Sequence, residues 1–247
     1  MVKNKKTPQV TTVSAIVLVG GSVDQQLLNN CLKSLSWCNE VIKIDTTKIL
    51  GSFSEWRNEG IKKAKGDWLL YVDIDEEITN NLQKEIQLTI TNSQLTNTAY
   101  AIPRKNIIFG QEFKHGGQWP DYQIRLFKRS SLKKWVGNLH ERPIFAGNMN
   151  YIKNSIIHHK NITVSQMIEK TNKWSEIESR LLYKSKHPKM NIFRFISVAF
   201  REFQLRFLRQ LCFLDGSKGV IYGIYQIYSK LITYSKLWEK QLSIIHI

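Results

Sequence analysis

The sequence is short of cysteine, short of acid relative to base, and without long uncharged apolar runs. Its three cysteines, Cys31, Cys38 and Cys212, are odd in number and lack metal-ligand spacing, which argues against a disulfide framework and for a reducing compartment. No stretch offers the roughly 18 to 20 uncharged apolar residues of a spanning helix. The apolar run after the basic start MVKNKKTPQVTT is very short and closes on no small-residue cleavage site, so it reads as a first strand rather than a signal peptide. No repeat period or low-complexity tract is present. Twenty Asp and Glu stand against thirty-six Lys and Arg, a formal net charge of +16. That balance calls for a polyanionic partner: nucleic acid, an anionic membrane surface or a phosphate-bearing substrate. A hydrophobic content of 42% argues for a folded chain, and 247 residues suffice for one α/β core with an extension.

What is there alternates strand and helix. Residues 13 to 19 are β-branched and apolar, end at Gly20-Gly21, and lead into DQQLLNNCLKSLS, where Leu27, Leu28, Cys31, Leu32 and Leu35 share one helical face. VIKID predicts a second strand. In SFSEWRNEGIKKAKG, Ser52 and Glu55 have capping-box spacing for a helix ending at Gly66. WLLYV predicts a third strand, covered on both faces. The alternation predicts a parallel, doubly wound half-sheet with Asp45 and Asp73 at neighbouring carboxyl ends, the edge where such folds bind ligands. Beyond it, NLQKEIQLTI predicts a helix, YAIPRKNIIF a strand demoted toward the edge by Pro103, and YQIRLF another strand. Residues 110 to 160 hold Trp- and His-rich pieces that read as site-forming loops. From residue 192 to 214, a helical wheel gathers Ile192, Phe193, Ile196, Phe200, Phe203, Phe207, Leu211 and Leu214 on one side, with Arg194, Arg201 and Arg209 opposite. This stretch and the Tyr-rich one after Asp215-Gly216 are expected either to lie on an anionic membrane surface or to pack on the core as ordinary amphipathic helices.

The third strand ends on Asp73, Asp75, Glu76 and Glu77, four acids in five residues. They form either a solvated strand exit or a cation site, since two aspartates separated by one residue can address a single hard cation and leave its other positions to water and phosphate oxygens.

RNEGIKKAKGDWLLYVDIDEE, then PDYQIRLFKR, WVGNLHE, IIHHKN, FLDGSKGVIYG and YSKLWE stand in this order along nearly the whole chain. The set resembles glycosyltransferase family 2, in particular the small bacterial enzymes akin to lipopolysaccharide-core β-glucosyltransferases. The resemblance implies a GT-A fold, α/β with a Rossmann-like, mostly parallel central sheet flanked by helices and a C-terminal amphipathic helical extension. The corresponding division is a basic tail over residues 1–12, a glycosyltransferase domain over 13–165 and the helical extension over 166–247. It further implies an inverting, metal-dependent transfer of a hexose from a nucleotide-diphosphate sugar, expected to be UDP-linked, to a lipid-linked or lipopolysaccharide-type cell-envelope glycan. The enzyme would sit peripherally at the cytoplasmic face of the cell membrane. On this resemblance Asp45 would contact the nucleotide, and Arg57 and Asn58 open the substrate-side helix. Asp73 and Asp75 would hold Mg²⁺ or Mn²⁺ against the diphosphate, with His158, or its neighbour His159, reaching the same ion. Glu141 would stand at the catalytic carboxylate. Asp121 is the alternative base, or binds acceptor hydroxyls beside Gln123 and Arg125. His140 is either a core histidine or an orienter for Glu141, and Trp119 and Trp135 either sugar platforms or core.

Sugar transfer places negative charge on the leaving phosphate and positive character on the anomeric carbon. A cation stabilises the first, and a carboxylate base deprotonates the attacking hydroxyl. The chain departs from the family pattern in having only eleven residues between Asp45 and Arg57, and Gly20-Gly21 where a polar pair is usual. Two other readings compete: a nucleotide-sugar-binding relative without turnover, and a basic nucleic-acid-binding protein. The second is opposed by the scatter of the positive residues and the lack of a nucleic-acid-binding signature.

Overall fold

The computed structural model describes residues 11–21, 23–48, 51–92, 94, 96–137, 141–160 and 163–242. The chain forms two compact units, one of Met1–Lys105 with Asp121–His159, the other of Asn106–Pro120 with Lys160–Ile247.

The first unit begins with β1 (Val13–Val19), α1 (Gln25–Ser34), β2 (Glu40–Asp45), α2 (Phe53–Lys63) and β3 (Trp68–Asp73). β1 pairs in parallel with both β2 and β3, so the expected α/β, Rossmann-like half-sheet is present. Residues 13 to 18 and 68 to 72 are all buried, and side-chain alternation distributes them to two opposed cores. Val13, Ala15, Val17, Leu70 and Val72 join Cys31 and Leu35, together with Leu82 and Ile86 of α3 (Asn80–Thr91). Ile16, Leu18, Leu69 and Tyr71 join Ala64, Phe127 and Trp135, with Trp56 and Ile61 packed alongside. α1 starts at Asp24, whose carboxylate accepts from Gln26 N at 2.9 Å, and α2 at Ser52, whose N–H donates to Glu55 Oε2 at 2.6 Å, as capping-box spacing requires.

β4 (Glu76–Ile78), β5 (Ala99–Ile108), β6 (Gln111–Glu112), β7 (Asp121–Lys128), β10 (Met149–Tyr151) and β11 (Ile156–Lys160) complete the sheet. Its order among the described residues is β2-β1-β3-β7-β5-β11-β4, with β6 and β10 also on β5. Two positional expectations are corrected. β1 lies between β2 and β3, so Asp45 and Asp73 occupy the same sheet edge but not neighbouring strands. β5 is interior, between β7 and β11, despite Pro103; proline removes one donor, and the residues around it keep their register with β7, Ala101 opposite Ile124 and Arg104 opposite Asp121. A separate ribbon of β8 (Leu132–Val136) and β9 (Arg142–Phe145) supplies Trp135 and Phe145 to the second core.

In the second unit, α4 (Val164–Lys184) packs on α6 (Gly216–Gln241); α4 buries Met167, Thr171, Ser175 and Ser179, and α6 buries Tyr222, Thr233 and Leu237 among others. Thr171 Oγ1 and Tyr225 Oη share a hydrogen bond of 2.5 Å. The predicted apolar run begins as α5 (Ile192–Phe203), continues as a π-helical turn over Gln204–Arg209, and breaks at Leu211, whose φ of +50° no regular helix adopts. A single 3₁₀ turn, Cys212–Asp215, then leads into α6. The close passage requires glycine on α6: a Cβ on Gly219 would lie 2.0 Å from the Cys212 carbonyl oxygen.

Candidate active site

The carboxyl end of β3 opens on a cleft of about 390 Å³ in the first unit, lined by Arg57, Asp73, Arg104, Tyr122, Gln123, Arg125, Trp135, Glu141 and Arg142, among others. It brings together six of the residues singled out from sequence: Arg57, Asp73, Gln123, Arg125, Trp135 and Glu141.

The four acids after β3 do not act as one cluster: Asp73 and Glu76 meet arginines and share Arg125, whereas Asp75 and Glu77 each face a histidine. Asp73 accepts from Arg125 Nη2 at 2.5 Å through Oδ2 and from Arg57 Nη2 at 3.3 Å through Oδ1. Asp75 Oδ2 lies 3.4 Å from His158 Nε2. Glu76, wholly buried, accepts from Arg125 at 2.7 Å and Arg104 at 3.3 Å through Oε1, and from the Asp73 backbone N–H at 3.0 Å through Oε2. Glu77 Oε1 lies 3.1 Å from His159 Nε2. β4 pairs antiparallel with β11, placing His158 opposite Glu76.

Arg57 is buried against two rings, its guanidinium carbon 4.9 Å from the Trp135 centroid and 5.5 Å from that of Tyr71, and reaches Glu141 Oε1 from both Nε and Nη2 at 3.3 Å. Arg104 grips Asp121 Oδ2 through Nε at 3.0 Å and Nη2 at 2.6 Å, while Gln123 Nε2 donates to Asp121 Oδ1 at 2.8 Å. The result is one alternating ladder: Glu141, Arg57, Asp73, Arg125, Glu76, Arg104, Asp121. Burial alone would raise the Asp73 pKa, but Arg125, Arg57 and Arg104 more than offset it and hold that carboxyl well below the usual range. Burial likewise favours the neutral form of Arg125, and the facing Asp73 and Glu76 reverse this, so its pKa is raised. The Cys31 thiol is pushed up to about 12 by burial and by Glu76, Asp73, Asp75 and Glu77 nearby, so it is a packing residue and not a nucleophile.

Several expectations are relocated. Asn58 does not face the cleft. Its side-chain amide donates to the Trp135 carbonyl at 3.0 Å and its oxygen accepts from Trp135 N at 2.8 Å, tying α2 to β8 so that the preceding Arg57 is presented to Glu141. Asp45 is half exposed and folds back on its own turn, accepting from Thr47 Oγ1 at 2.6 Å. Trp135 is core, edge-on to Tyr71 at 5.1 Å. Trp119 belongs to the second unit and is partly exposed. His140 lies outside the described residues. Arg104 was missed as a site member, because nothing in PRK distinguishes an interior arginine, and Glu76 was singled out only as one of four acids, with nothing to set it apart from its neighbours.

Among the described residues no three His, Cys, Asp or Glu side chains stand together as a metal-binding group. Asp75 and His158 do present an oxygen and a nitrogen at a spacing that one cation can bridge, and a Mg²⁺- or Mn²⁺-type ion completed by substrate phosphates needs no more than one or two protein ligands. The donor set therefore fits such an ion at Asp75 and His158. Asp73, with each oxygen on an arginine, fits it less well.

No protein-family model matches the chain. Among solved structures it is similar to residues 1–349 of S. aureus TarS, at 15% identity over 93% of this chain and 82% of that one, with a TM-score of 0.41. For the complex of that fragment with UDP the values are 13%, 96%, 93% and 0.42, and for its complex with UDP-GlcNAc 13%, 95%, 91% and 0.42.

Proposed function

We propose that the protein is an inverting glycosyltransferase of family 2 type that moves a hexose from a nucleoside-diphosphate sugar, UDP-linked, to a lipid-linked or lipopolysaccharide-type envelope glycan at the cytoplasmic membrane face. The observation that carries the reading is Glu141 held at the cleft by Arg57, the same guanidinium that holds Asp73 at the end of β3. A carboxylate fixed in this way, with its side chain about one-fifth exposed, is suited to take a proton from an acceptor hydroxyl. That hydroxyl oxygen forms its bond to the anomeric carbon as the bond from that carbon to the phosphate oxygen breaks. The electron pair leaves with the nucleoside diphosphate and the proton goes to Glu141. One displacement inverts the anomeric centre.

Asp121 is the poorer base, because one oxygen is gripped twice by Arg104 and the other by Gln123; its role is to set those two side chains at the acceptor side. Arg57 Nη1 is buried without a hydrogen-bond partner among the described residues. Asp75 and His158 would hold Mg²⁺ or Mn²⁺, with Asp73 keeping the arginines in place. When bound, such an ion acts as a Lewis acid on the departing phosphate.

The test is turnover of UDP-glucose and UDP-GlcNAc with Mn²⁺ on a lipopolysaccharide-core or lipid-linked acceptor. Glu141→Gln should lower kcat by about 10² to 10⁴ while calorimetric UDP binding is retained, and Asp75→Asn should weaken the Mn²⁺-dependent part of that binding. Wild-type turnover in both variants would sink the assignment.

A further inference from the structure

α5 is amphipathic the wrong way round for a helix that only packs. Its buried side is narrow, with Val198 at 4% exposure. Phe193, Ile196 and Phe200, spaced three, four and seven apart and so on one face, are 78%, 60% and 58% exposed. Ile192 and Phe203 extend the same stripe, and beyond the helix Leu208 and Leu214 are also exposed. At about 100° per residue, Arg194 and Arg201 fall roughly 80° to 100° past the Phe193 edge of this stripe, on the flank that leads round to Val198. Past that flank, on the Val198 side, the same unit holds an open groove of about 520 Å³ lined by Val198, Arg201, Glu202, Arg209, Lys230 and Tyr234, among others.

We infer that this face docks on an anionic phospholipid bilayer, the apolar stripe entering the acyl boundary and Arg201, Arg209 and Lys230 taking lipid phosphates. Charge complementarity chooses the occupant. From Lys160 to Ile247 there are fifteen Lys and Arg against six Asp and Glu, and a basic face bordering exposed Phe and Ile is the composition of an in-plane interfacial helix. No helix among the described residues is long and apolar enough to cross a membrane, so the contact is with one leaflet. The inference rests on the second unit alone and stands or falls separately from the proposed chemistry.

The experiment is flotation of the full chain with phosphatidylcholine vesicles containing 30% phosphatidylglycerol, with pure phosphatidylcholine vesicles in parallel, and sedimentation velocity without lipid. Flotation on the anionic vesicles only is expected. The F193S/F200S pair and, separately, the R201E/R209E pair should each reduce it by about tenfold or more. These side chains are solvent-facing, so the circular dichroism spectrum and soluble turnover should be unchanged. Failure of the wild-type chain to float, flotation that neither pair reduces, or a lipid-free dimer that F193S/F200S dissociates would each overturn the inference.

Discussion

Glu76 is the residue on which the ladder closes, since it accepts from two guanidinium groups and from the backbone of Asp73. Its removal leaves Arg125, 5% exposed, without half of its compensation, and uncompensated buried charge is among the costliest single defects. Glu76→Ala is expected to destabilise the fold by about 3 to 5 kcal/mol, read as a fall in the urea midpoint at unchanged slope; a loss below about 1 kcal/mol would show that the ladder is not cohesive. The acids were legible in the sequence as a group, because four carboxylates after a covered strand are conspicuous. Their separate partners were not, because Arg57, Arg104 and Arg125 come from three distant elements, and only the register of β5 on β7 puts Arg104 beside Asp121.

At the scale of elements, α2 sits against β1 because Gly60 permits it. A Cβ there would lie 2.5 Å from Ile16 Cγ2 in the second core. Helix propensity alone would make Gly60→Ala stabilising by about 1 kcal/mol, but overpacking opposes it with about 1 to 3 kcal/mol. A net destabilisation is expected, relieved when Ile16→Val is added; thermal unfolding of the single and double variants decides it, and a rise in Tm for Gly60→Ala would contradict the packing. The strands of the first half were readable, since a run buried on both faces has few alternatives. Two elements were misjudged for one reason: local signals do not encode neighbours. Pro103 marked an interior strand, and the run from 192 to 214 was broken by a left-handed Leu211 that no periodicity announces. The same periodicity did find the apolar stripe correctly, but it could not say that the stripe faces outward.

For the molecule as a whole, the ladder ties stability to acid. The folded-state pKa of Asp73 is depressed, so its contribution is fully present above the unfolded aspartate value of about 3.9 and is lost as pH falls through the lower folded value. Stability should therefore decline below about pH 4, and Asp73→Asn should flatten that decline while leaving the protein weaker near neutrality. Chemical denaturation from pH 7 to pH 2 tests this; parallel curves for the two proteins would refute it.

Arg57 has a further consequence. It stacks on Trp135 and Tyr71 while dividing its donors between Glu141 and Asp73, a combination that a lysine ammonium cannot reproduce. The floor of the cleft is thus frozen against gradual change. Tyr122 and Arg142, which border the same opening outside the ladder, can be substituted without breaking it, so under the proposed function a change of sugar or acceptor preference belongs at that rim, over an intact charge framework.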